Sequence, residues 1–295
     1  MTPQISAILV NYNAGMELGH ALRSIAEECA GSLWDAIVVD NASTDDSAAI
    51  VAAFAPRARL VRNAVNVGFG RAVNQGVALS ASPSLLLMNP DCRLVSGAVS
   101  AMRAVLEAEP SCAVVGPRIL DPGGAVQGSA RGDPDMFTGL FGRTGGLRAR
   151  LPFLPVAKRN VVVDDAIGSG QRSVVVDWLS GACMLVRRDA FLAAGGFDER
   201  YFLYWEDADL CRRLRGRGFQ VRYVPGATAV HHVGRSSQTA RAASIRAFHE
   251  SAYRYYGTHV APGTFSPRRL LARLLLAARC QWQLRAARRS VPSEF

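Results

Sequence analysis

No two of the six cysteines (Cys29, Cys92, Cys112, Cys183, Cys211 and Cys280) stand in a Cys-x-x-Cys pair. That excludes a zinc ribbon. Six scattered thiols in 295 residues do not make a disulfide framework either, so reduced thiols and a cytoplasmic setting are expected. There is no run of about 18 uncharged apolar residues, so no helix is expected to span a membrane. The amino terminus lacks a basic region before its short apolar stretch, so no secretory signal is expected. No Gly-rich turn follows the first apolar run, which ends Val10-Asn-Tyr-Asn-Ala-Gly15. A nicotinamide-dependent oxidoreductase is therefore only a distant alternative. Charge is modest, at 20% against 49% hydrophobic residues. The chain is globular and long enough to bury a sizeable core.

The net charge of +10 is unevenly spread. Residues 240–295 carry 10 Arg and no Lys against Glu250 and Glu294, while residues 1–239 are close to neutral. A basic tail seeks an anionic surface, either nucleic acid or lipid headgroups. This tail has few aromatics on which bases could stack, so no nucleic-acid partner is expected. On a helical wheel for 268–282, Leu270, Leu271, Leu274, Leu275 and Trp282 gather on one side. Arg268, Arg269, Arg273 and Arg279 fall on the other, and Leu276 breaks the pattern. Such a helix suits the interface of an anionic membrane, engaged through 266–289. The alternative is packing against the domain or within a homodimer.

Short β-rich runs at Ile5–Val10, Ala36–Asp40, Arg59–Arg62, Leu85–Met88 and Ala113–Gly116 alternate with helical stretches over Met16–Ala30, Asp45–Phe54, Gly70–Ser80 and Val95–Glu107. That rhythm predicts βαβ units in an α/β fold with a mostly parallel sheet. Residues 119–172, rich in Gly, Arg, Pro and Asp without a period, read as a long, partly mobile loop. Strands are predicted again at Ser173–Asp177 and Ala182–Arg187. A helix follows over Glu206–Arg217, then strands near Gln220–Val224 and Thr228–His232. Helices at Ala240–Tyr256 and Pro267–Arg289 close the chain. The division expected is one domain over 1–238, made of a first half at about 1–118, the loop at about 119–172 and a second half at about 173–238, followed by a basic helical region at 239–295.

Ligands of open α/β sheets bind at the carboxyl ends of the strands. Four segments fall there: Asn11-Tyr12-Asn13, Asp40-Asn41, the loop from Asn66 through Gly68 to Arg71, and Asn89-Pro90-Asp91. Asp40 is placed to accept from a ribose or base, or to cap the next helix. Arg71, near a helix start, faces a phosphate or solvent. Asp91 follows a proline-fixed turn, where a carboxylate can meet a divalent cation. Farther on, Glu206, Asp207 and Asp209 open a helix directly after Tyr201, Phe202, Tyr204 and Trp205. The helix dipole favours acids there, but acids beside aromatics in a cleft also suit general-base work. His231 follows a strand, as a metal ligand or a core residue.

The order and spacing of these segments resemble the inverting family 2 glycosyltransferases of the GT-A fold. More narrowly, they resemble bacterial rhamnosyltransferases of cell-wall and O-antigen assembly. The resemblance rests on Val-Asn-Tyr-Asn, Val-Val-Asp-Asn-Ala-Ser-Thr-Asp, Asn-x-Gly-Phe-Gly-Arg-Ala-x-Asn-x-Gly, Leu-Met-Asn-Pro-Asp, Trp-Leu-Ser-Gly-Ala-Cys-Met-Leu-Val-Arg-Arg, Gly-Gly-Phe-Asp-Glu and Trp-Glu-Asp-Ala-Asp-Leu-Cys-Arg-Arg, in that order between Ile5 and Tyr256.

The resemblance implies that Asp207 is the catalytic base. Glu206, Asp209, Trp178, Ser180, Gly181 and Trp205 would shape the sugar and acceptor pocket. Asn11, Tyr12, Asn13, Asp40, Asn41, Asn66, Gly68, Arg71, Asn89 and Asp91 would meet the nucleotide-sugar donor. Asp91 and His231 would hold Mg²⁺ or Mn²⁺. Asn89 stands where the family's Asp-x-Asp motif has its first acid, and a neutral amide is a poorer ligand. The implied activity moves a sugar, L-rhamnose from dTDP-rhamnose first, with UDP-galactofuranose or a UDP-hexose as alternatives. The implied acceptor is a lipid-linked saccharide, and the enzyme would work peripherally at the inner face of the plasma membrane.

Overall fold

The computed structural model describes residues 2–134, 170–232, 241–263 and 265–289. Its elements, in chain order, are β1 (Ile5–Asn11), α1 (Met16–Glu28), β2 (Trp34–Asp40), α2 (Ser47–Ala52), β3 (Ala58–Arg62), α3 (Phe69–Ala78), β4 (Ser84–Met88), β5 (Cys92–Leu94), α4 (Ala98–Ala108) and β6 (Cys112–Leu120). After these come β7 (Val126–Gln127), β8 (Ala130–Arg131), β9 (Val174–Val176), β10 (Trp178–Leu179), β11 (Cys183–Arg187), α5 (Arg188–Ala193), α6 (Glu206–Arg215), β12 (Gln220–His231), α7 (Arg241–His259) and α8 (Pro267–Arg289).

The main sheet has the order β3-β2-β1-β4-β11-β6-β12-β5. Strands β3, β2, β1 and β4 pair in parallel, β6 and β12 share their direction, and β11 and β5 run against it. The sheet is therefore mostly parallel, as the βα rhythm predicts. Its central strands are apolar without a break because both faces are covered. Residues alternate between the faces with the two-residue period of a strand. Ile8, Val10, Ile37 and Val39 join the cluster that holds Val73 and Val77 of α3. Ala7, Leu9, Ala36 and Val38 join the one that holds Leu18, Leu22 and Ile25 of α1.

Three differences from the sequence reading have physical causes. The stretch read as loop from 119 opens with order, because β6 continues to Leu120 and a turn at Asp121–Ala125 folds β7 back onto it. Residues 135–169 of that expected loop lie outside the described residues. The two strands predicted near 220 and 230 are one strand, whose register shifts between Val224 and Thr228 around Pro225 and Gly226. Arg279, expected on the polar side of the last helix, lies over the Phe248 ring because that helix packs on the body, where Ala252 and Tyr255 of α7 and Leu276 of α8 share an apolar cluster with Trp178, Met184 and Trp205. Leu276, the residue that broke the helical wheel, turns inward with Ala272 and Leu284. Among the described residues no helix is long and apolar enough to cross a membrane.

Candidate active site

Register builds the site. Parallel pairing sets Asn11 opposite Asp40 and Asp40 opposite Arg62, so the carboxyl ends of β1, β2 and β3 are level. Asp40 is buried and uses both oxygens locally. Oδ1 accepts from Asn11 Nδ2 at 2.8 Å and Oδ2 from the Ser43 amide at 3.1 Å. Ser43, which lies within the Asp40 motif but is given no role of its own there, ties the two strand ends together, because its hydroxyl accepts from Asn11 Nδ2 and from the Asn13 amide, both at 2.9 Å. Asn13 and Ala42 take the left-handed conformation, at φ 52 and 64. Asn41 donates to the Gly68 carbonyl at 3.2 Å, and Asn66 Oδ1 accepts from the Gly68 amide at 3.0 Å. Tyr12 lies between the two Asn residues at this edge, half-buried. The segments around Asn11, Asp40 and Gly68 thus form one hydrogen-bonded rim.

The rim meets the aromatic segment before α6. The Phe69 amide donates to the Phe202 carbonyl at 2.8 Å. Asn74 brackets Phe197, donating to its carbonyl at 2.9 Å and accepting from its amide at 3.0 Å. Arg71 does not join the acids at the strand ends. It lies exposed, 3.6 Å from Glu199.

Asn89-Pro90-Asp91 makes a tight turn closed by the Cys92 amide on the Asn89 carbonyl at 3.1 Å. Strand β5, only three residues long, starts there and pairs antiparallel with β12, setting Cys92 opposite His231. That pairing brings Asp91 and His231 together, with His231 Nε2 3.1 Å from Asp91 Oδ1 and 3.4 Å from Asn89 Nδ2. Among the described residues no three His, Cys, Asp or Glu side chains form a metal cage. The pair plus the Asn89 amide is nevertheless an N,O donor set of the kind Mn²⁺ or Mg²⁺ accepts when other ligands come from substrate phosphates.

The second acidic centre is α6. Its first turn carries Glu206, Asp207 and Asp209, all buried, and its last turn carries Arg212, Arg213 and Arg215, so both ends oppose the helix dipole. Just before it, Tyr204 and Trp205 are both left-handed, at φ 69 and 71. Side chains at such angles persist only where surroundings hold them, and the sites concerned are often functional. Here Trp205 is packed between Phe248 and Tyr255 of α7, with ring centroids 5.7 and 5.3 Å away.

Asp207 and Asp209 have different surroundings. Asp207 Oδ2 accepts from the Gly181 amide at 2.9 Å. Asp209 is spent on structure, meeting Arg213 Nε at 2.7 Å and His259 Nε2 at 2.6 Å. The Gly181 contact joins the two acidic centres. The next residue, Ala182, accepts from the Asn89 amide at 2.9 Å. Consecutive Cα atoms are about 3.8 Å apart, so the Asn89–Asp91 turn and Asp207 are both fastened to one dipeptide at the end of β4.

Trp178 and Ser180 frame that dipeptide. The Trp178 indole donates to the Gly132 carbonyl at 2.9 Å, and Ser180 is anchored by its amide on the Ser129 carbonyl at 2.8 Å. Arg215 reaches Asp133 and, at 3.0 Å, Asp177, tying α6 to both sides of the 134–176 segment. Thiol chemistry has no place here. Burial pushes the thiols of Cys29 and Cys112 up to about 11 and that of Cys211 up to about 12, so none of the three is a nucleophile near neutral pH. Burial, with Asp209 and Asp198 close by, also pushes the Tyr201 hydroxyl well above its usual range and keeps it protonated.

A doubly covered, mostly parallel sheet with acids gathered at the strand ends is the architecture of the GT-A glycosyltransferases. Residues 6–191 match the family described as Glycosyl transferase family 2, and the chain belongs to that family. Residues 159–288 match Glycosyl transferase family group 2. The chain is 32% identical to the N-acetylglucosaminyl-diphospho-decaprenol L-rhamnosyltransferase of Mycobacterium tuberculosis over 302 aligned positions, covering 98% of this chain and 95% of that one. It is 41% identical to the rhamnosyltransferase WbbL of Escherichia coli over 81 positions, 28% of this chain and 31% of that one. Among solved structures it resembles a mannosyltransferase of Pyrobaculum calidifontis in complex with GDP-Man and Mn²⁺. The TM-score is 0.58 at 16% identity, covering 97% of this chain and 73% of the other. That likeness is one of fold.

Proposed function

We propose that this glycosyltransferase moves L-rhamnose from dTDP-L-rhamnose onto a hydroxyl of a lipid-linked, GlcNAc-bearing acceptor, with inversion at the anomeric carbon. The observation that carries it is the Gly181–Ala182 dipeptide, which fastens the Asp91 turn and Asp207 to one place. The near full-length likeness to an L-rhamnosyltransferase supports the donor and acceptor.

The nucleotide lies along the rim of Asn11, Asp40 and Gly68, with its diphosphate toward Asp91. Asp91, His231 and Asn89 are the residues that would hold a divalent cation. When bound, the cation neutralises charge on the departing diphosphate. Asp207 takes the proton of the acceptor hydroxyl as that oxygen bonds to the anomeric carbon. The bond from that carbon to the diphosphate breaks on the opposite face, so a single displacement inverts the centre. The Gly181 amide holds the Asp207 carboxylate in place for the transfer.

Purified protein offered dTDP-L-rhamnose, UDP-galactofuranose, UDP-glucose and GDP-mannose with a short polyprenyl diphospho-GlcNAc should form product from the first. Chelation should lower the rate, and Asp91→Ala should weaken donor binding in the presence of Mn²⁺. Product from another donor alone would overturn the rhamnose assignment. Donor affinity indifferent to Mn²⁺ and to Asp91→Ala would overturn the cation role.

The acceptor's lipid calls for a membrane surface, and α8 carries one. Ala272, Leu276 and Leu284 face the body, while Leu270 (60% exposed), Leu274 (61%) and Trp282 (68%) face out, beside Phe265 (99%). Arg268 and Arg273 are exposed and flank that stripe by helical geometry. Arg269 and Arg279, expected beside them, turn inward over the rings of Tyr253 and Phe248. Each exposed Arg near an anionic leaflet contributes about 1 kcal/mol. In flotation assays the protein should rise with phosphatidylglycerol vesicles and much less with phosphatidylcholine alone. Replacing Leu274 and Trp282 together by Glu should abolish flotation. Unchanged flotation would overturn the membrane role of the stripe, and a dimer that the same pair dissociates would assign it to a second copy.

A further inference from the structure

Gln127 belongs to no motif and sits in the two-residue strand β7, opposite Ile119 of β6. Its side chain nevertheless makes two contacts with one residue. Gln127 Nε2 donates to the His231 carbonyl at 3.1 Å, and Gln127 Oε1 lies 3.2 Å from His231 Nδ1. A backbone carbonyl only accepts, so the amide nitrogen must face it and the amide oxygen must face the ring. An amide oxygen also only accepts, so Nδ1 carries the hydrogen. Nε2 is then the nitrogen turned toward Asp91 and Asn89.

We propose that Gln127 is a positioning residue. It clamps His231 by ring and backbone, fixes the Nδ1–H tautomer, and presents Nε2 beside the Asp91 carboxylate as a donor for the divalent cation. The inference rests on the cation reading above and adds to it a residue in a segment the sequence reads as structureless. A ligating His commonly gives its other ring N–H to an oriented acceptor, and losing that acceptor typically costs 10- to 100-fold in metal affinity. Strand β7 supplies the acceptor here. The turn at Asp121–Ala125 places it: the Asp121 amide donates to the Ala125 carbonyl and Asp121 Oδ1 accepts from the Ala125 amide, both at 2.8 Å.

The test uses the full chain and needs no turnover. Long-range ¹⁵N–¹H correlation spectra at about pH 8.5, where an ordinary imidazole is neutral, report which His231 nitrogen bears hydrogen. Mn²⁺ titration followed by electron paramagnetic resonance reports affinity, and thermal unfolding reports folding.

The wild type should show Nδ1–H. Gln127→Leu should show mixed tautomers and bind Mn²⁺ roughly 10- to 100-fold more weakly, with a thermal midpoint close to wild type. Gln127→Glu keeps an acceptor at Nδ1 and should restore both the tautomer and most of the affinity. An Nδ1 without hydrogen in the wild type, or wild-type Mn²⁺ affinity in Gln127→Leu, overturns the proposal. Full Mn²⁺ affinity in His231→Ala overturns the cation reading itself. The tautomer spectra separate these failures, because they report the clamp without any metal.

Discussion

Replacing Asp207 by Asn should lower kcat by about 10²–10⁴-fold, the usual worth of a general base, while donor affinity stays at the wild-type value. The variant is close to isosteric. An amide oxygen can still accept from the Gly181 amide, which now meets Oδ2 at 2.9 Å, but an amide cannot take a hydroxyl proton. The loss amounts to about 3–5 kcal/mol of transition-state stabilisation. The control is two residues along the same helix. Asp209→Asn should instead lower the unfolding midpoint, because Asp209 neutralises Arg213 and pairs with His259 away from the Gly181 contact. Single-turnover rates, with donor binding measured by calorimetry, separate the two. Transfer near the wild-type rate in Asp207→Asn would show that another group is the base.

The second large effect is expected from a single methyl group. Gly68 has φ +90, and a Cβ there would stand 2.6 Å from the Phe202 carbonyl oxygen. Gly68→Ala therefore meets two penalties. Backbone strain costs about 1–3 kcal/mol, and overpacking typically costs a further 1–3 or so. The opposing atom is itself fixed, because it accepts from the Phe69 amide. Gly218 provides the comparison, at φ +85 with nothing within 4 Å of a built Cβ. Gly218→Ala should pay the strain alone and keep its activity. Gly68→Ala should lose more in thermal midpoint and also lose transfer, since the rim that approaches the donor would be pushed off the segment leading to Asp207. Equal midpoints for the two variants would show that the Gly68–Phe202 approach is not tight.

The fold was largely legible because its signals are strong and local. The first four parallel strands are short β-rich runs between helical stretches, and α8 keeps its expected bounds from Pro267 to Arg289. Asp91 stands out in the sequence because it follows a proline turn, and Asp207 because it follows an aromatic run. What the sequence hid depends on register. Strand β5 is three residues long, too short to carry a period, yet its pairing with β12 makes neighbours of Asp91 and His231. Ser43 and Gln127 act through hydrogen bonds to residues 30 or more positions away, which no local pattern records. Arg71, read as facing a phosphate or solvent, lies exposed beside Glu199.

The left-handed pair Tyr204–Trp205 links chemistry to the far end of the chain. Its rings lie against Phe248, and Phe248 in turn lies under Arg279 of α8. A protein shortened to its first 238 residues would keep every residue assigned to donor, acceptor and cation, yet lose the buttress behind this kink. The first turn of α6 would then relax, and the carboxylate would drift from its aim. The minimal catalytic unit of this enzyme is accordingly larger than its set of reacting groups.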